Sequence, residues 1–134
     1  GGAGQTVLVV DDEAAIRMLM VEVLKEFGYQ VLDAGEALHA IELLKAHRSV
    51  SLLVTDVGLP GMNGRHLADA ARVIIPELKV LFVTGYAENA VLSHGLLPAG
   101  MQVLTKPFDL DVFAQRVHSL MQESSVPRPP SISR

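Results

Sequence analysis

Five side chains in this sequence have the types and the placement for one piece of chemistry. Asp11 and Asp12 follow the apolar run Val7-Leu8-Val9-Val10, and Asp56 ends the run Leu52-Leu53-Val54-Thr55. Thr84 ends Leu81-Phe82-Val83, and Lys106 follows Met101-Gln102-Val103-Leu104-Thr105. Each stands where a short, mostly aliphatic run stops. If those ends share one rim, a single pocket holds three carboxylates, a hydroxyl and an ammonium. Three close carboxylates repel, and some take up protons unless a cation sits among them. A hard divalent ion with oxygen ligands is the natural filler, and Mg²⁺ (or Mn²⁺) suits a few carboxylates plus waters. A backbone carbonyl from the Val57-Gly58 turn would complete the shell. Asp56 could then attack phosphorus as a carboxylate nucleophile. Phosphoryl transfer asks mainly for positioning and charge neutralisation: Lys106 supplies charge, and Thr84 a hydrogen bond.

The elements that must carry these residues follow from periodicity. Runs at Val7–Val10, Tyr29–Leu32, Leu52–Thr55, Lys79–Val83 and Met101–Leu104 lack polar alternation, as in strands buried on both faces. Between them, apolar residues recur at three- and four-residue intervals, the stripe of an amphipathic helix. The first stripe is Ile16, Leu19, Met20, Val23, Leu24 and Phe27, with Gly28 just past its end, where glycine is favoured. The second is Leu38, Ile41 and Leu44 with Ala37 and Ala40. The third, with Asn63 as N-cap, is Leu67, Ala71 and Ile74, stopping before Pro76. A fourth helix starts near Ala87 and is broken early by Gly95 and Pro98. The last carries Leu110, Phe113, Val117, Leu120 and Met121. Strand and helix alternating five times implies a parallel sheet covered on both faces, with right-handed crossovers.

Composition narrows the classes. The 134 residues suffice for one domain; 49% are hydrophobic but only 4% aromatic, so the core must be aliphatic. The net charge of −4, with the charges interspersed, argues against a nucleic-acid footprint. Without cysteine, disulfides, thiolate metal sites and cysteine nucleophiles are excluded. No apolar run reaches the roughly 18–20 residues of a membrane span, and no secretory signal is seen. The expectation is a cytoplasmic domain without membrane contact of its own, in a parent that could be membrane-attached. Residues 1–5 read as a flexible leader, 6–122 as the domain and 123–134, rich in Ser, Pro and Arg, as a flexible tail.

At the chemically interesting residues the chain resembles the receiver domains of two-component signalling. The matching pieces are Val9-Val10-Asp11-Asp12-Glu13, Thr55-Asp56-Val57-Gly58-Leu59-Pro60-Gly61-Met62-Asn63-Gly64, Val83-Thr84-Gly85 and Thr105-Lys106-Pro107-Phe108. Each is weak alone; four in order, each at a strand end, are specific. The resemblance implies a flavodoxin-like (βα)5 fold, with strand order 2-1-3-4-5. It implies that Asp56 is the phosphoacceptor, and that a histidine kinase or histidine phosphotransfer domain is the donor. It implies Mg²⁺ held by Asp12, Asp56 and the Gly58 carbonyl, with Asp11 acting through water. Lys106 would bond the phosphoryl group, Thr84 would move toward it, and the Lys106-Pro107 peptide would be cis. The wider runs Leu81–Ala90 and Leu104–Phe108 look most like the C-terminal receivers of hybrid sensor histidine kinases. A fragment of such a protein is one expectation and a stand-alone regulator another; a phosphorylation-linked dimer stays open.

Two features depart from the family's pattern. Val103 stands three residues before Lys106, where an aromatic switch is common, and Gly58, two past Asp56, has no side chain to govern water. Tyr86, two past Thr84, could shade the site instead. Other readings compete. Asp11 and Asp12 could merely cap a helix, with Glu13 as a dipole partner. An Mg²⁺-dependent phosphatase would use the same aspartyl nucleophile but needs a second acid, which Val57-Gly58 lacks. A flavodoxin-like cofactor binder needs a phosphate-cradling loop where two carboxylates stand. A module that only binds partners would not need the full acidic set. As an isolated domain the chain is expected not to be an enzyme beyond slow self-dephosphorylation. His39, His47, His66, His94 and His118 lack metal spacing and read as surface residues, and the methionines read as core fillers.

Overall fold

Aliphatic runs without polar alternation need cover on both sides, and the fold supplies it. The computed structural model describes residues 4–85 and 97–123. Five strands, β1 (Thr6–Val10), β2 (Gln30–Ala34), β3 (Val50–Asp56), β4 (Lys79–Thr84) and β5 (Met101–Thr105), form one sheet in the order β2-β1-β3-β4-β5. Every neighbouring pair is parallel. The described helices are α1 (Ala14–Glu26), α2 (Ala37–Ala46), α3 (Gly64–Ile74) and α4 (Leu110–Gln122). The helix expected from near Ala87, Tyr86 beside it, and the tail beyond Glu123 lie outside the described residues.

Alternate strand residues feed two cores. Leu8, Val10, Leu53, Val80 and Phe82 pack with Ala40, Leu44, Leu67 and Ala71 from α2 and α3. Val7, Val9, Leu52, Val54, Leu81 and Val83 pack with Met20, Leu24, Phe113 and Val117 from α1 and α4. Burial on both faces is why the strands read as continuous apolar runs. β2 extends two residues beyond its expected end, because Asp33 and Ala34 pair with Val9 and Val10; backbone pairing, not side-chain polarity, sets the end of this edge strand.

The helix stripes are rotated from their expected centres. Leu19 is 52% exposed and Leu38 65% exposed; Phe27 and Met18 are also exposed, so Met18 is no core filler. Val21, outside the expected stripe, is buried beside Met20 and Leu24. A stripe marks a half-cylinder, whereas contact with the sheet and a neighbouring helix covers less of it. His39, His47, His66 and His118 are exposed, and His94 lies outside the described residues.

Two local devices aim the chain at the rim. Gly28, with φ of 93°, reverses the chain after α1 while the Tyr29 amide bonds the Leu24 carbonyl. Asn63 caps α3 by accepting from the His66 amide at 2.9 Å. The same turn brings Gly64 against the end of β3, where its amide donates to the Val57 carbonyl at 2.9 Å. A Cβ on Gly64 would lie 2.2 Å from the Asp56 carbonyl oxygen and 2.9 Å from Val57 Cα. Because backbone would have to give way, Gly64→Ala is expected to cost about 1–3 kcal/mol. Denaturant unfolding checks this; a wild-type midpoint with an unchanged slope would refute the close approach.

Candidate functional site

Strand register gathers the rim residues at one edge of the sheet. Val10 pairs with Thr55, which sets Asp11 beside Asp56 at the carboxyl ends of β1 and β3. Asp56 pairs with Val83, so Thr84 stands one step beyond it, and Thr84 pairs with Thr105, which puts Lys106 one step further again. The order β2-β1-β3 makes the gap between β1 and β3 the point where the winding direction reverses. Ligands of open α/β sheets bind at such points.

The side chains converge there. One carboxylate oxygen from each of Asp11, Asp12 and Asp56 lies within 4.8 Å of the others. Asp11 and Asp56 are buried, whereas Asp12 is exposed. Lys106 Nζ sits 3.2 Å from Asp56 Oδ2, and Asp56 Oδ1 accepts the Gly58 amide at 3.1 Å. Burial alone would pull the Lys106 ammonium down, but the charge of Asp56 and its hydrogen bond, helped by Asp11 and Glu13, raise it above its usual value. It is a fixed cation at neutral pH. Asp11 is shifted upward too. Burial disfavours its charge, and Asp56 and Asp12 add repulsion that the Glu13 amide and Lys106 only partly offset.

Asp11 divides its carboxylate between two tasks. Oδ1 accepts the Glu13 amide at 2.8 Å, a local turn bond before α1. The N-cap of α1 is Glu13, without a side-chain cap, so neither Asp11 nor Asp12 is the helix cap of the plainer reading. Oδ2 is buried and has no hydrogen-bond partner among the described residues. An orphaned buried carboxylate oxygen facing two more carboxylates fits a hard cation, since a cation among them would satisfy it and relieve the repulsion. The donor set is all oxygen, as Mg²⁺ and Mn²⁺ prefer.

The remaining expected residues sit as follows. Thr84 is buried and its hydroxyl donates to the Gly85 carbonyl at 3.1 Å. The Lys106-Pro107 peptide is cis, and the Lys106 amide donates to the Thr84 carbonyl at 2.8 Å. Val103 is half-buried against the α2–α3 core, and its carbonyl accepts from Arg116 at 2.9 Å. Gly58 is exposed. Sequence reasoning passed over Arg17, which bonds the Asp11 carbonyl at 2.7 Å and Asp33 at 2.8 Å. A lone cation between the apolar positions Ile16 and Met20 was the available signal.

Comparison with known proteins agrees with this geometry. The family model described as "Response regulator receiver domain" matches residues 7–118. The sensor kinase CckA of Brucella abortus is 36% identical over 119 residues, which are 88% of this chain but only 13% of that protein. The response regulator receiver protein CpdR of the same organism is 33% identical, over 86% of this chain and 95% of that one. The crystal structure of the receiver domain from hybrid histidine kinase CckA superposes with a TM-score of 0.75 at 30% identity, covering 87% of this chain and 99% of the other. The fold, the strand order and the matched span agree: the chain belongs to the response regulator receiver domain family, the receiver domains of two-component signalling.

Proposed function

We propose that Asp56 accepts a phosphoryl group from a phosphorylated histidine of a kinase or phosphotransfer partner, in a reaction that uses Mg²⁺ or Mn²⁺. One observation carries the reading: the rim sets one oxygen of each of three carboxylates within 4.8 Å of one another and Lys106 at 3.2 Å from Asp56. A carboxylate oxygen of Asp56 forms the new O–P bond as the P–N bond to the donor histidine breaks. The electron pair of that bond returns to the imidazole nitrogen. Asp11, Asp12, Asp56 and the Gly58 carbonyl would hold the ion, Asp11 through water. When bound, the ion supplies a counter-charge for the phosphoryl oxygens.

Lys106 faces the acceptor from the other side, where its ammonium takes up charge that develops on the phosphoryl group. Thr84 exchanges its bond to the Gly85 carbonyl for one to a phosphoryl oxygen, and that exchange is the switch. Val103 offers no ring to follow it, so the backbone bond from Lys106 to the Thr84 carbonyl couples the two strand ends. The donor docks beside the site. An apolar groove between α1 and the loop after β5 is lined by Ile16, Leu19, Met20, Pro107 and Phe108, and Lys106 belongs to both groove and pocket. That continuity, with Leu19 exposed at its lip, favours a helical partner carrying the histidine. The module is assigned to residues 6–122, and the match to a sensor kinase supports a hybrid-kinase parent acting in the cytoplasm. No observation favours the phosphatase: the turn after Asp56 carries Val57 and Gly58, neither of them an acid.

Incubation with Mg²⁺ and acetyl phosphate should add one phosphoryl group by intact mass. EDTA and Asp56→Asn should each abolish the addition; an equally modified Asp56→Asn would sink the assignment. Asp11→Asn should raise the melting temperature in EDTA while erasing the stabilisation that Mg²⁺ gives wild type. The sign follows from its upward shift: the folded state binds the proton more tightly, so the charge of Asp11 costs stability above the folded value. The gain should therefore fade as pH drops toward the ordinary 3.8. A lower melting temperature for Asp11→Asn at neutral pH would contradict this. Leu19→Asp should slow transfer from a phosphohistidine partner about ten-fold, a loss of about 1.4 kcal/mol, while the rate with acetyl phosphate stays at the wild-type value. Equal slowing with both donors would rule out the groove.

A further inference from the structure

Arg17 binds the acidic loop from outside the pocket. Its side chain is 19% exposed on α1, and its Nε donates to Asp33 Oδ2 at 2.8 Å. A terminal nitrogen of the same guanidinium donates to the Asp11 backbone carbonyl at 2.7 Å. The Asp11 amide is tied as well, to the Ala34 carbonyl at 3.2 Å. Asp33 and Ala34 are adjacent on β2, so Asp11 is anchored to that strand at its amide directly and at its carbonyl through Arg17. Gly35 leaves the guanidinium its space, since a Cβ there would lie 3.2 Å from a terminal nitrogen of Arg17. A planar, forked cation suits this two-point grip, and an ammonium does not.

The grip acts on one peptide. The Asp11 carbonyl belongs to the Asp11-Asp12 peptide, whose orientation decides where the Asp12 carboxylate stands. Asp12 is exposed, so packing does not place it. As a bystander, a cation near a metal site would only repel the metal. We infer that Arg17, braced by Asp33, is a positioning residue that holds the Asp11-Asp12 pair in the geometry a divalent ion needs. The inference rests on the proposed reading of these two residues as ion-holding. Groups that orient metal ligands typically change affinity by about 10–100-fold when removed.

The two explanations differ in sign, so Mg²⁺ affinity of the full chain decides between them. The readout is the amide shifts of Asp12, Glu13 and Gly58 in isotope-labelled protein during titration with magnesium chloride. If wild type shows no binding, the functional reading and this inference fall together. With wild type binding, Arg17→Met is expected to raise the Kd about ten-fold, and Arg17→Lys, which keeps the charge but not the fork, to raise it less. Saturating Mg²⁺ should return Arg17→Met to the wild-type maximal rate with acetyl phosphate, a recovery that general damage to the fold would not allow. Unchanged or tighter binding by folded Arg17→Met overturns the positioning role and leaves the phosphoacceptor reading intact. Should Arg17→Met lose its dispersed spectrum, Arg17→Lys decides: weaker binding supports the inference and a wild-type Kd overturns it.

Discussion

Among the described residues, Asp11 keeps a carboxylate oxygen buried and without a hydrogen-bond partner beside two other carboxylates, and the rim is arranged around that charge. In a protein interior such a group is costly, because burial and like-charge neighbours both oppose ionisation. The surroundings offset only part of the cost. The Glu13 amide takes one oxygen of Asp11, and Lys106 pairs with Asp56 rather than with Asp11. What remains is negative potential concentrated at the end of β1. Such a local conflict between stability and chemistry is expected at functional sites, and it fits the proposed cation site.

The sheet makes that conflict sustainable. Covered on both faces, β1 and β3 lie at the centre, with Leu8, Val9, Val10, Leu53 and Val54 fully buried. A rigid interior packed at solid-like density holds the strand ends in place against repulsion. The register then does the positioning, since it brings four strand ends to one edge of the sheet. The close contact of Gly64 with the Asp56 carbonyl secures the same end from below, where no side chain could fit.

Much of this was legible in the sequence, for a physical reason. Doubly covered strands force continuous apolar runs, and a polar residue ending such a run is a rim residue; that logic locates Asp11, Asp56, Thr84 and Lys106 before any coordinates. Helix orientation was less legible. Leu19, Phe27 and Leu38 fit an apolar stripe as well as Leu24 does, yet only contact with the sheet decides which edge of the stripe is covered. Pairing partners away from the strand ends and helix caps were not legible. Arg17 reads as an ordinary surface cation until β2 brings Asp33 beside it, and the direction of the Thr84 hydroxyl depends on the Gly85 carbonyl, which no spacing rule reports.

Acceptance and transmission rest on different parts of the structure. On the proposed reading, acceptance needs Asp11, Asp12, Asp56 and Lys106, all at strand ends held by the two cores. On the same proposed reading, transmission begins at Thr84, whose hydroxyl donates to the Gly85 carbonyl. On that reading, moving it to a phosphoryl oxygen exchanges one hydrogen bond for another, which is the small difference between states that a single phosphoryl group can reverse. Val103 packs into the α2–α3 core and leaves no ring to amplify the motion. The Lys106 amide on the Thr84 carbonyl is one mechanical link, and it joins the two residues that the proposed reading sets against the phosphoryl group. On the proposed reading, charge relief at Asp56 and the movement of Thr84 are thereby coupled across adjacent strand ends.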